Sequence, residues 1–222
     1  MTTAGIIAKK IGMTRMVDAE GQMTPVTLLQ VETQRVTKVL TPERDGYNAI
    51  QVGYYVKKEK ALTKADVARL RKASIQESFA RFKEFRFVGA PGHELGAALG
   101  VNLLEGVTTI DATGVCKGRG FSGAHRKHGS AVGRMSHGSR FHRRPGSLGM
   151  RSTPGRTFKN RKQPGHHGNT QTTIQNLKVM DIDTASGVIA VRGSVPGHAD
   201  GYLILRPSVK AAAATAAGKK TK

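Results

Sequence analysis

The sequence predicts a mainly β protein with a small α/β insertion: an antiparallel β-barrel carrying a long irregular loop extension. Three observations predict it. Short runs of β-branched and apolar residues recur between Gly-, Pro- and Asp-containing turns. One segment alone has a good helical signature, and an acid-free basic stretch interrupts the strand pattern late in the chain. At 222 residues the chain fits one domain, or one and a half, against ~100–200 residues per domain.

The elements follow in order. Ile6–Val17 and Pro25–Val31 read as strands, with the turn Asp18-Ala19-Glu20-Gly21 between them. Arg35–Leu40 and Ala49–Val56 come next, separated by a loop from Thr41 to Gly46. Lys64–Lys72 is the helix: Thr63 is placed to cap it, Asp66 sits three residues on, and Val67 and Leu70 share a face. The four phenylalanines of Phe79–Val88 have mixed spacing, which predicts a strand over the second half only. Thr108–Cys116, Thr172–Asp183, Gly187–Arg192 and Gly201–Arg206 complete the set. Ala211 to Lys222 is Ala/Lys low-complexity and is expected to fray.

Charge divides the chain more sharply than pattern does. Lys plus Arg number 36 against 15 Asp plus Glu, a net +21. Self-repulsion on that scale calls for a polyanion to neutralise it. From Ala112 to Met180 there is no acidic residue, yet 14 Lys or Arg and six of the eight histidines lie there. The other 153 residues carry a net of only +7, from 22 basic and 15 acidic side chains. Between Lys117 and Gly168 stand 11 glycines and three prolines, with few large apolar residues. Such a segment cannot bury enough apolar surface to offset the entropy of ordering itself. Since it lies between two strands of one core, the expected shape is a two-legged loop ordered by what it binds. At ~3.3 Å per residue and ~24 residues a leg, its reach is at most roughly 80 Å.

Several function classes lack what they require. No apolar run approaches the ~18–20 residues of a membrane span, and Lys9 and Lys10 interrupt any early apolar leader. A single cysteine, Cys116, has no internal disulfide partner, which fits a reducing compartment. Gly118-Arg119-Gly120-Phe121-Ser122-Gly123 has the spacing of a dinucleotide loop, but no carboxylate for a ribose follows until Asp181. His137 and His142 are spaced like zinc ligands without the Cys or acidic partners a site needs, and Ser130, Ser136 and Ser139 have no local carboxylate to orient a neighbouring histidine. The expectation is no catalytic residue, no metal, no cofactor and no small-molecule substrate.

Nucleic acid remains. Nine Arg against four Lys stand between Lys117 and Lys162, and Arg both forks phosphate and stacks on bases. A solvated face carries both signs; this one carries one. An irregular arm of glycines and planar cations suits structured RNA better than the major groove of DNA, which takes a helix or ribbon. The expected RNA-binding residues are Lys9, Lys10, Lys117, Arg119, Arg126, Lys127, Arg134, His137, Arg140, His142, Arg143, Arg144, Arg151, Arg156, Lys159, Arg161, Lys162 and His166. A general RNA chaperone or nucleoid protein would share this charge, and binding to the protein's own messenger is compatible with it.

A set of motifs narrows the field. Lys9-Lys10-Ile11-Gly12-Met13-Thr14, Asp111-Ala112-Thr113-Gly114, Lys117-Gly118-Arg119-Gly120-Phe121, Ser136-His137-Gly138-Ser139, His142-Arg143-Arg144-Pro145-Gly146-Ser147-Leu148-Gly149, Thr153-Pro154-Gly155-Arg156, Gly165-His166-His167-Gly168-Asn169 and Val195-Pro196-Gly197 occur in this order. Together they resemble the bacterial large-subunit ribosomal protein L3 family, from Ala4 to about Lys210. The resemblance implies a barrel of the translation-protein type in the cytoplasmic ribosome. It implies binding near the 3′ end of the large-subunit RNA early in assembly, beside ribosomal proteins L14 and L19. It also implies a loop threading toward the peptidyl-transferase centre, with its tip at Gly149, Met150, Arg151 and Ser152, a region associated in the family with drug sensitivity. Ser152 stands where many members carry a Gln that is methylated, and His125-Arg126-Lys127-His128 stands where Lys-Arg-Trp is common. The expected division is a barrel over 1–116 with the α/β insertion around 57–105, the RNA-threading loop over 117–168, the rest of the barrel over 169–210, and a tail over 211–222.

Overall fold

The computed structural model describes residues 5–18, 20–87, 89 and 92–211. The chain opens with β1 (Ile6–Val17), β2 (Met23–Gln30) and β3 (Arg35–Leu40), then the short helix α1 (Pro42–Asp45) and β4 (Ala49–Val56). Helix α2 (Lys64–Lys72), β5 (Phe79–Arg86) and β6 (Thr109–Val115) follow. The basic stretch holds β7 (Phe121–Ser122), α3 (Ala124–His128) and β8 (Gly165–His166), and β9 (Gln171–Asp183), β10 (Val188–Arg192) and β11 (Tyr202–Pro207) complete the chain. The protein is mainly β, with antiparallel pairing throughout its sheets.

Three local readings change. The loop after Thr41 contains one helical turn, started by Pro42 and closed by Gly46 at φ 81°. β5 is a strand from Phe79 onward, not only in its second half, because all of it pairs with β4 from Val56↔Phe79 to Ala49↔Arg86. The basic stretch, expected to be irregular, holds the five-residue α3 and the two-residue ladder β7–β8. The helix cap is as the sequence indicates: the Thr63 hydroxyl accepts the Asp66 N–H at 3.3 Å. The Ala/Lys tail beyond Ala211 lies outside the described residues.

Six strands close into a barrel in the order β1-β11-β6-β9-β10-β2. Period-two alternation sorts their side chains. Ile6 and Ala8 of β1, with Leu203 and Leu205 of β11, join Leu29, Ile110, Ala112, Ile189 and Val191 inside. Each Leu or Ile fully buried there stabilises the fold by about 1.5–3 kcal/mol. The alternate residues face out. Ile7 packs into a second cluster with Val36, Ile50, Val52, Phe85 and Leu99, against which Tyr202 and Ile204 also rest. That cluster belongs to a three-stranded sheet, β3-β4-β5. The sheet starts at Arg35, because β4 takes both β3 and β5 as neighbours. Leu70 of α2 and Ile75, three residues past its end, pack with Phe79.

Candidate nucleic-acid interface

The described residues form two compact units: those up to Val115 with those from Gln171 on, and Cys116–Thr170. In the first unit Val115 pairs with Gln171 at the end of the β6–β9 ladder, so the chain leaves and re-enters at adjacent positions. The second unit, the arm, is built as a laddered base and irregular turns.

At the base the two legs bond like strands. Cys116 N donates to Thr170 O at 3.0 Å, Arg119 N to His167 O at 2.8 Å, and His167 N to Gly120 O at 2.9 Å. Phe121↔His166 and Ser122↔Gly165 extend this pairing. The legs approach so closely at Gly168, φ 77°, that a Cβ there would collide with the carbonyl oxygen of Lys117. Only glycine meets both demands. Farther along, Gly133 N donates to His142 O at 2.8 Å, and the His142 imidazole bonds Arg134 O at 2.9 Å. These contacts tie off a small lobe whose turn contains His137 at φ 55° and Gly138 at φ 71°.

The arm has no apolar core. Within it only Ser122, Ala124 and Gly168 are buried, while Phe121 is 80% exposed and Met135 70% exposed. Lys117, Arg119, Arg126, Arg134, His137, Arg140, Arg143, Arg144, Arg151, Arg156, Lys159, Arg161, Lys162 and His166 are all exposed, and Lys127 and His142 are half-buried. No carboxylate lies within the arm to pair with these cations, since the sequence puts none there. Two of them also serve the arm itself. Arg161 donates to Ser147 O, and the Arg156 guanidinium lies 5.8 Å from the Phe158 ring centroid. Gly149, Met150, Arg151 and Ser152, the expected tip, are exposed throughout.

Lys9 and Lys10 have protein partners. Lys9 Nζ lies 3.2 Å from Asp200 and 3.6 Å from Glu32, and the hydrogen bond to Asp200 leads the effects that raise its pKa. Lys10 Nζ donates to the carbonyls of Val195 and Gly197 at 3.1 and 3.3 Å. Both lysines therefore bond to groups of the barrel unit.

Sequence reasoning missed the positioning histidines. His125 bonds Ser130 O, and His128 bonds Gln163 O at 3.0 Å, joining the outgoing leg to the returning one. Burial lowers the His167 pKa, and the charges of Arg119, Arg126, Lys127 and His128 push the same way. Its Nδ1 is buried with no hydrogen-bond partner among the described residues. The G-x-G-x-x-G run does precede a helix, but α3 has five residues and all four ionisable side chains in its last turn are basic or histidine. Among the described residues no cluster of His, Cys, Asp and Glu could hold a metal ion, and no helix is long and apolar enough to cross a membrane.

Comparison with known proteins bears on this arrangement. Residues 102–188, which include the whole arm, match the family model described as ribosomal protein L3. The chain is 40% identical over 206 residues to the large ribosomal subunit protein uL3 of Alkaliphilus metalliredigens, covering 93% of this chain and 98% of the relative. It is 42% identical over 207 residues to the protein of the same name from Geotalea daltonii, with the same coverage.

Proposed function

The chain belongs to the ribosomal protein L3 family, and on that premise we propose that its work is architectural, as a structural protein of the large ribosomal subunit rather than an enzyme. Its barrel, of the translation-protein type, docks on ribosomal RNA near the 3′ end of the large-subunit molecule, early in assembly and beside L14 and L19. Its arm runs among RNA helices toward the peptidyl-transferase centre with Gly149–Ser152 leading.

One observation carries the reading: an arm without a core or an internal carboxylate, with exposed cations along both legs. Phosphates packed closely in folded RNA repel one another, and fixed guanidinium groups replace mobile counterions there. The exposed Phe121, Phe141 and Phe158 supply flat apolar surface of the kind on which unpaired bases stack. Glycines at the base let the two legs run side by side, so the arm is narrow where it leaves Val115 and Gln171.

Sedimentation of a tagged copy through a high-salt sucrose cushion, followed by subunit separation, tests the proposal. Stoichiometric retention on the large subunit is expected, because loose electrostatic binders are stripped by salt. Release into the supernatant, or spread over all nucleic acid, would favour a general RNA chaperone instead.

A further inference from the structure

A second aromatic and cationic arrangement lies wholly within the barrel unit. Tyr54 and Tyr55 are neighbours in β4, and successive side chains of a regular strand point to opposite faces. Here they do not. Tyr55 has φ 63°, a conformation that a bulky L-residue rarely adopts. Both rings stand edge-on to Tyr202 of β11, with centroids 5.4 and 5.5 Å away.

The apolar core gives no reason for this strain. Tyr55 remains half exposed, and it is absent from the hydrophobic clusters that hold the sheet. Strained backbone of this kind persists where surrounding structure enforces it, and it concentrates at functional sites. Its consequence is a platform. The exposed Arg81 guanidinium lies 5.3 Å from the Tyr55 centroid and 5.8 Å from that of Tyr202, and Lys57 Nζ lies 5.1 Å from Tyr55.

These rings and Arg81 line a cleft of about 510 Å³, within the ~300–1,000 Å³ usual for small ligands. Its charge is one-sided. Asp200, also in the lining, is paired with Lys9, whereas no carboxylate among the described residues pairs with Arg81 or Lys83. The cleft therefore offers flat apolar surface beside two cations whose charge is uncompensated. That combination fits a planar base joined to a phosphate, and it does not fit an aliphatic or cationic ligand.

We propose that this cleft seats one unstacked nucleotide of RNA, its base against the Tyr55–Arg81 platform and its phosphate at Arg81 and Lys83. The proposal rests on the RNA-binding reading above. It adds to the barrel a base-stacking contact separate from the arm.

The test uses the full chain and large-subunit ribosomal RNA transcribed with 4-thiouridine. Long-wavelength irradiation followed by mass spectrometry should place a crosslink on the peptide of Tyr54–Tyr55 or of Tyr202. Tyr55→Gly removes the ring while suiting φ 63°, so the variant keeps its backbone. It should lose that crosslink and bind the RNA roughly five- to a hundredfold more weakly, the worth of one stacked base. Tyr55→Phe should restore both. Arg81→Gln should lower the log–log salt slope by about 0.7, as for one lost single-strand phosphate.

Wild-type affinity and slope in Tyr55→Gly and Arg81→Gln would overturn the proposal. So would a crosslink from the cleft to a protein neighbour in the assembled subunit, or occupation by free uridine monophosphate but not by the RNA. If Arg143→Glu with Arg144→Glu still weakens binding in that event, the arm reading survives and the cleft alone fails. If the wild-type chain shows no preference for this RNA, both fail together.

Discussion

Gln34 takes the place of a strand beside Ile7. Its side-chain carbonyl accepts the Ile7 N–H at 3.1 Å, and its amide donates to the Ile7 carbonyl at 3.2 Å. β2 pairs with β1 only as far as Lys9↔Gln30, so the β1 backbone at Ile7 would otherwise lose its partner on that side. Gln34 is 1% exposed and Ile7 4%, hence no water replaces these bonds.

Replacing the side chain should expose how much this pairing contributes. Gln34→Leu fills similar volume but abandons two buried backbone groups, at ~1–3 kcal/mol each. The expected loss is at least ~2 kcal/mol in urea unfolding, read as a lower midpoint at unchanged m-value. A midpoint equal to wild type would show that the Ile7 groups find other partners.

Asp111 makes a similar repair at the bulge where β6 shifts register against β9 between Ile110 and Ala112. One carboxylate oxygen accepts Asn176 N at 2.8 Å and the other accepts Val209 N at 3.3 Å. Asp111→Ala should cost roughly 2 kcal/mol, while Asp111→Asn, which keeps one acceptor, should cost less. Chemical denaturation of the two variants side by side gives the order.

The arm base should loosen in acid. His167 has its folded pKa below the ordinary ~6.5, so the unfolded form binds the proton more readily. The contribution to stability is therefore full above ~6.5 and falls as pH drops from there toward the folded value. The protection factors of the Arg119 and His167 amides should fall as pH drops below ~6.5, and His167→Gln should remove that dependence.

Gly168→Ala should open the base directly. The added methyl group meets the Lys117 carbonyl and sits at φ 77°. Amide protection should fall along 117–122 and 165–170, and incorporation into large subunits should drop, with little change in the melting of the barrel. A variant that assembles normally would mean that bound RNA enforces the base without help from the ladder.

On the arm, Arg143→Glu should weaken RNA binding and reduce the log–log salt slope by up to ~0.9, as for one lost phosphate contact. Deleting Arg119–His166 and bridging with a short Gly/Ser link should leave a cooperatively melting barrel, because Val115↔Gln171 already places the two ends together. The shortened chain should fail to assemble into the subunit. If it does not fold, the arm contributes to the core.

What depends on local composition and period is legible in the amino-acid sequence alone. The acid-free stretch, the strands Ile6–Val17, Arg35–Leu40 and Ala49–Val56, and the Thr63 cap are all visible there, since charge, alternation and capping act within a few residues. The ordered motifs pointed to the family for the same reason: they are contiguous. Tertiary structure decided everything that joins distant segments. It placed β3 and β4 with β5, matched Gln34 to Ile7, and gave Lys9 and Lys10 to the barrel's own carboxylate and carbonyl oxygens. It also gathered Tyr54, Tyr55 and Arg81 around Tyr202, more than 120 residues away in the chain. Alternation says only that a side chain leaves the core. Which partner it then meets is set by strand register across the whole sheet, a cooperative property that no short window of sequence contains.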